Sequence, residues 1–204
     1  MNTDRKLIIS IGQSRTSKQW TRTETMWSEF INRLSQPIRT QETVAEYHQL
    51  SKSEQGKLKD IGGFVGGSLN GLQRKAINVT GRDLITLDLD SIMPGETDNV
   101  VRTVDSLGMA YVIYSTRSHT EHRPRLRVVI PTDRTMTPDE YEPIARKMAE
   151  LIGIGMMDST TFEASRLMYW PGCSSDAQYV IHYADKNFLS ADGMLEKYAD
   201  WSEV

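Results

Sequence analysis

At 204 residues, with 38% hydrophobic and 25% charged residues, the chain is long enough for one domain with a real core and has an ordinary globular composition. A net charge of −3 argues against a strongly basic nucleic-acid wrapper, while leaving room for a local basic groove. The single cysteine, Cys173, excludes an internal disulfide and a Cys-rich zinc site, no apolar run approaches the roughly 20 residues of a membrane span, and no signal-peptide pattern opens the chain, so a cytoplasmic protein with no membrane partner is expected.

In chain order, Leu7–Ile11 reads as a strand. A helical stripe follows over about 23–34, with Met26, Trp27, Phe30, Ile31 and Leu34 on one face, and Gln36-Pro37 stops it. Two more helical stretches, about 41–50 and 53–60, lead into Gly62-Gly-Phe-Val-Gly-Gly-Ser-Leu-Asn-Gly71, which lacks the Lys-Ser/Thr of a P-loop and reads as a flexible connector. Residues 1–80 form an N-terminal α/β extension in this reading, packed on a core of residues 81–204 as one integrated domain.

The second part is more regular. Leu84–Leu89 is a strand, about 97–107 a helix closed by Gly108, and Tyr111–Ser115 a strand continuing to His119. Arg125–Ile130 is a further strand, and Thr137 caps a helix that has Pro138 at its first position and runs to Ile152. Arg166–Trp170 and Gln178–Tyr183 read as strands and about 190–201 as a terminal helix, after which the chain stops, as a fragment of a longer protein would. The order β-α-β-β-α-β indicates the α+β class and a ferredoxin-like (RRM-like) core.

The chemistry concentrates on Leu84-Ile-Thr-Leu-Asp-Leu-Asp90. Residues two apart on a strand point the same way, so Asp88 and Asp90 face one side and can hold a hard divalent cation with the phosphates of a substrate. Direct pairing across a loop at 120–124 sets His119 against Arg125 and Arg117 against Arg127, so that Ser115, Arg117, His119, Arg125 and Arg127 share a face. Like charges facing one another call for an anion, supplied by acidic side chains or by a nucleotide triphosphate. In a ferredoxin-like sheet the first and third strands are neighbours, which brings this cluster beside the two acids. Asp158 is a candidate third ligand, equally readable as a turn or cap residue, and Arg166 a further phosphate ligand. Tyr169 and Trp170 could stack on a base; for Trp170, and for Trp20, Trp27 and Phe30, a core role is the simpler expectation. Cys173, His48, His122 and His182 carry no evident chemistry.

Leu-Asp-Leu-Asp, then Tyr-Ser-Thr-Arg-Ser-His-Thr with Pro-Arg-Leu-Arg-Val-Val-Ile-Pro, then Asp-Ser-Thr-Thr-Phe-Glu-Ala-Ser-Arg-Leu-Met-Tyr-Trp-Pro, resemble the archaeo-eukaryotic primase superfamily. The set is most similar to the primase-polymerase modules of phages and mobile elements called virulence-associated E type, as are Lys57–Gly67 and Arg74-Lys75. The resemblance implies that Asp88, Asp90 and Asp158 hold Mg²⁺ or Mn²⁺ for nucleotidyl transfer. It implies that Ser115, Arg125, Arg127 and Arg166 bind an incoming NTP or dNTP, with a single-stranded DNA template and a helicase domain or subunit as partners. The family's second motif places His two residues after the Ser; here Arg117 stands there and His119 lies two further on, so either fills that role. Two other readings are a primase-like module kept for template or partner binding, and an Asp-x-Asp phosphatase, whose fold needs parallel strands and an early motif.

Overall fold

The computed structural model describes residues 5–204. Two antiparallel sheets face one another across an apolar layer, and helices cover the outer face of the larger. In the N-terminal part, β1 (Lys6–Gly12) pairs with β2 (Thr21–Met26), and α1 (Trp27–Leu34) starts where β2 ends. The expected helix over about 23–34 is therefore correct only from Trp27 onward. Thr21, Thr23 and Thr25 are β-prone, and pairing with β1 overrides the helical stripe. The two-residue β3 (Ile38–Arg39) and the short helices α2 (Val44–Gln49) and α3 (Lys52–Lys59) follow. Both helices open on a capping box, Thr43 with Glu46 and Ser51 with Glu54.

The glycine-rich stretch is not a connector. It forms β4 (Gly63–Val65), paired with β1, and β5 (Gly67–Leu69), paired with the long β6 (Val79–Leu89), so the chain steps between the two sheets there. A Cβ on Gly63 would sit 2.2 Å from the Met168 carbonyl oxygen, and one on Gly67 would sit 2.0 Å from that of Gly81. Only glycine lets the strands approach so closely at the crossing.

The larger sheet runs β11-β7-β8-β6-β5, antiparallel at every junction, with α4 (Thr97–Ser106) between β6 and β7 (Tyr111–Ser115). Then come β8 (Leu126–Met136) and α5 (Pro138–Ile152), capped by Thr137 as the sequence indicates. Ile85, Leu87, Leu89, Ile113, Val128 and Ile130 pack on this helical side. On the other face Leu84, Val112, Tyr114 and Val129 meet Leu7, Ile9, Phe30 and Phe64 of the N-terminal part. Alternation along the strands thus serves two apolar layers. Trp20, Trp27 and Phe30 are core, as expected.

The strand after α5 departs from the simple pattern. Arg166–Trp170 shortens to β9 (Met168–Tyr169), which pairs with β4 in the smaller sheet, while β5 takes the place beside β6. The two-residue β10 (Gly172–Cys173) pairs with β3, and β11 (Ile181–Ala184) forms the far edge of the larger sheet. The expected terminal helix is confined to α6 (Ala191–Leu195). No helix among the described residues is long and apolar enough to cross a membrane.

Candidate functional site

The site lies where β6 ends beside the start of β8. Arg127 stands directly opposite Asp88, so both side chains rise from the same face. Beyond β5, the edge of β6 is covered by residues 156–161. The Asp158 N–H donates to the Asp88 carbonyl at 2.8 Å, and the Asp88 N–H donates to Thr161 Oγ1 at 2.9 Å. The Asp90 N–H donates to the Met156 carbonyl at 3.1 Å. These bonds bring Asp158 beside Asp88 although 70 positions separate them in the chain.

Each acid is turned onto an arginine. Asp88 Oδ1 lies 3.5 Å from Arg127 Nε, and Asp88 Oδ2 lies 3.5 Å from Arg166 Nη2. The same Arg166 nitrogen lies 2.8 Å from Asp158 Oδ2, so one guanidinium joins Asp88 to Asp158. Asp90 Oδ2 is 3.7 Å from Arg125 Nη1. Burial disfavours the Asp158 anion, but the hydroxyl and N–H of Thr160 and the charge of Arg166 outweigh it, holding the carboxyl below its ordinary range. For Arg127, burial also opposes the charge, but Asp88 together with Tyr114 and Tyr169 outweighs it, pushing the guanidinium pKa up. Carboxylate oxygens are the donors Mg²⁺ and Mn²⁺ prefer, so the set suits such an ion in kind, with Arg166 now between two of its members. Among the described residues no three such ligands close round one point.

The cations outnumber what the acids satisfy. Nε of Arg125, Arg127 and Arg166, and both Nε and Nη1 of Arg117, are buried without a hydrogen-bond partner among the described residues. Buried donors of this kind are costly unless something accepts from them. Arg117 and Arg127 line one narrow pocket together with Lys59 and Tyr169.

The hairpin differs from direct pairing. β7 ends at Ser115, which pairs with Leu126, and Arg127 lies opposite Tyr114 rather than Arg117. Leu126 packs on the helical side, so the Ser115 side chain leans that way, and its hydroxyl accepts from the Val180 N–H at 2.9 Å. The face shared by Ser115, Arg117, His119, Arg125 and Arg127 therefore does not form; a register offset reverses faces. Arg117 reaches the pocket from the turn after β7 and donates through Nη2 to Thr40 Oγ1 and Glu42 Oε1. His119 goes elsewhere. Its Nδ1 accepts from the Arg125 N–H at 3.1 Å, and its ring lines a separate cleft with Thr97, Asp98, Glu121, Gln178 and His182.

Sequence reading gave no role to Lys59 or Glu42, which α3 and the turn before α2 bring to the site. The only local sign was a basic pair, Lys57 and Lys59, at the end of a polar helix just before two glycines. Trp170 is buried against Phe30 and Phe64 as expected, while the Tyr169 ring faces the cations.

In structure the chain is similar to the AEP domain of the primase-polymerase of cyanophage S-2L, at 13% identity, covering 94% of this chain and 88% of that one with a TM-score of 0.50. At that identity the likeness is one of fold, and it bears out the mixed α/β primase-type architecture. No curated protein matches the chain. The model of the VapE N-terminal domain matches residues 1–204. With that match and that fold, the resemblance to archaeo-eukaryotic primases of the virulence-associated E type holds, and the chain belongs to the VapE N-terminal domain family.

Proposed function

We propose that the chain is a primase-polymerase that extends or starts primers on a single-stranded DNA template, drawing on NTPs or dNTPs, during replication of a phage or mobile element. The observation that carries this reading is the set of buried arginines whose N–H groups lack acceptors beside two linked carboxylates. A triphosphate supplies the acceptors and the charge that Arg117, Arg125, Arg127 and Arg166 lack, and guanidinium forks suit phosphate oxygens. Arg117 rather than His119 takes the second-motif role, because it shares the pocket of Arg127 while His119 Nδ1 is committed to the Arg125 N–H. Asp88, Asp90 and Asp158 would hold Mg²⁺ or Mn²⁺, which when bound supplies charge neutralisation at the phosphoryl oxygens and eases loss of the primer hydroxyl proton. In the transfer, the primer 3′ oxygen bonds the α-phosphorus as the bond to the β-phosphate's bridging oxygen breaks and pyrophosphate leaves. The arginines hold the triphosphate and stabilise the charge that grows on its leaving part.

Residues 1–80 and 81–204 act as one unit in this reading, since β5 pairs with β6 and the inner apolar layer draws on both parts. A helicase domain or subunit would act beside it. A second reading, template or partner binding without catalysis, is favoured by one observation: every acid of the site is already paired with an arginine. An Asp-x-Asp phosphatase has no support in a sheet that is antiparallel throughout.

The test is template-directed incorporation with Mg²⁺ or Mn²⁺. Asp88→Ala/Asp90→Ala is expected to lower it by a factor on the order of 10³ or more while leaving the fold intact. Incorporation that survives the double change overturns the metal-site reading. No incorporation by the folded wild type, with DNA still bound, moves the assignment to the binding module.

A further inference from the structure

The pocket beside Arg127 holds a cation that neither the acids nor the core explain. Lys59 is the last residue of α3. Hydrogen bonds hold the backbone around it. The Lys59 carbonyl accepts from the Ile61 N–H at 3.0 Å, and the adjacent Asp60 carboxylate accepts from Ser14 Oγ and from the Arg15 N–H, each at 2.8 Å. The side chain runs into the pocket lined by Arg117, Arg127 and Tyr169. Its Nζ sits 5.3 Å from the centre of the Tyr169 ring, and the guanidinium of Arg127 sits 5.8 Å from the same ring. No hydrogen bond or ion pair to a carboxylate holds Lys59 among the described residues.

This placement is electrostatically adverse. Burial, then the charges of Arg127, Arg125 and Arg166, all act to push the ammonium pKa down, and only Asp88 acts the other way. A lysine whose work is structural is normally solvated or paired with an acid. Here the Lys59 ammonium shares a pocket with the guanidinium groups of Arg117 and Arg127, and the charges of Arg125 and Arg166 also act on it, while the aromatic wall offers only a weak cation–π attraction. An anion inside the pocket would add an attraction to Lys59 that offsets these unfavourable terms.

We infer that Lys59 binds the phosphates of the incoming nucleotide directly, as a cation contributed by the N-terminal part of the chain to the triphosphate site. This rests on the polymerase reading above, since it names a further residue of the same site. Lys59 stands with Arg127 beside the Tyr169 ring in this pocket, whose lining does not include the Arg166–Asp158 pair.

The test uses Lys59→Gln, Lys59→Met and Lys59→Arg in the full chain, with inorganic tripolyphosphate as a metal-free probe followed by calorimetry. Loss of one charged hydrogen bond is expected to weaken tripolyphosphate binding about tenfold in the Gln and Met variants, and Arg is expected to restore most of it. In incorporation assays the same two variants are expected to raise the nucleotide KM about tenfold with kcat within about threefold, as for binding shared by ground and transition states. Met keeps the aliphatic stem against Tyr169, so it serves if Gln unsettles the fold. Unchanged tripolyphosphate binding in folded Gln or Met variants overturns the inference, as does a wild type that does not bind the probe. Binding that is lost with Lys59, in a chain that incorporates no nucleotide, supports the Lys59 site and overturns the polymerase reading instead.

Discussion

Arg82 and Arg127 are both buried arginines on neighbouring strands of one sheet, 0% and 3% exposed, and they are used in opposite ways. Arg82 commits every nitrogen. Nε and Nη2 donate to the Leu84 carbonyl at 3.3 and 2.9 Å, Nη2 donates also to Thr86 Oγ1 at 2.9 Å, and Nη1 donates to the Ala164 carbonyl at 2.5 Å. Its guanidinium lies 3.9 Å from the centre of the Tyr141 ring. Arg127 donates to the Tyr169 carbonyl at 3.2 Å but leaves Nε without a hydrogen bond, 3.5 Å from a carboxylate. Burial pushes the Arg82 pKa down, whereas at Arg127 Asp88, Tyr114 and Tyr169 together outweigh burial. The comparison separates a fully satisfied cation, which ties β6 to the segment between Asp158 and Arg166, from an incompletely satisfied one suited to a ligand. Burial alone does not distinguish structure from function; the count of committed donors does.

The comparison breaks most visibly at Arg82. Arg82→Met leaves two carbonyls and a hydroxyl without their buried donor, and the net loss is expected to be about 3 kcal/mol after relief of the buried charge, read from urea unfolding. A variant as stable as the wild type would show that Arg82 is not the brace described.

Arg127→Met should do the reverse. It removes one of the two arginines beside Asp88, which keeps Arg166, so the melting temperature should fall less than in Arg82→Met, while incorporation efficiency falls about a hundredfold, or roughly 2.7 kcal/mol. Equal losses of stability in the two methionine variants would erase the distinction.

The smallest effects concern the turn. Arg117→Gln should cost about tenfold in nucleotide affinity, whereas His119→Gln should stay within about threefold. His119 should show instead in the pH dependence of stability. Burial lowers its pKa below the ordinary 6.5. The unfolded chain then takes up the proton first, so stability is full above about pH 6.5 and declines as pH falls through that value toward the folded pKa. Unfolding free energies measured between pH 8 and pH 5 should fall less in His119→Gln than in the wild type. An unchanged slope would mean that His119 is not the buried neutral base described.

Much of the site could be read from the chain. Asp88 and Asp90 stand at the end of a strand, and Arg127 lies on the neighbouring strand, because period-two patterning and the βαββα order are local properties. The cap and proline at the start of α5 are equally local. The hairpin was not readable in the same way. Whether Arg117 faces Arg127 depends on where β7 ends and on a register that the alternation does not mark, since the paired stretches are buried on both faces. The glycine stretch was misread for a related reason. Glycine carries no hydrophobic pattern, and its purpose, close approach of Met168 and Gly81 backbone, appears only once the strands are packed. β2 looked helical because the stripe of α1 can be extended backward through Met26, and only the partner strand β1 decides otherwise.

From the chain alone came the chemical inventory: three acids and a set of arginines in an order that marks the family, on elements whose periodicity identifies most of them. Tertiary structure decided which members of that inventory meet. It seats 156–161 along the edge of β6 and so joins Asp158 to Asp88 through Arg166. It also sends Arg117 to Glu42 and His119 to a different cleft, and brings Lys59 from the N-terminal part into the cationic pocket. The physical reason is the reach of the forces involved. Hydrogen-bonded periodicity is written within a few residues, whereas charge and burial act through space between residues that the chain order does not relate.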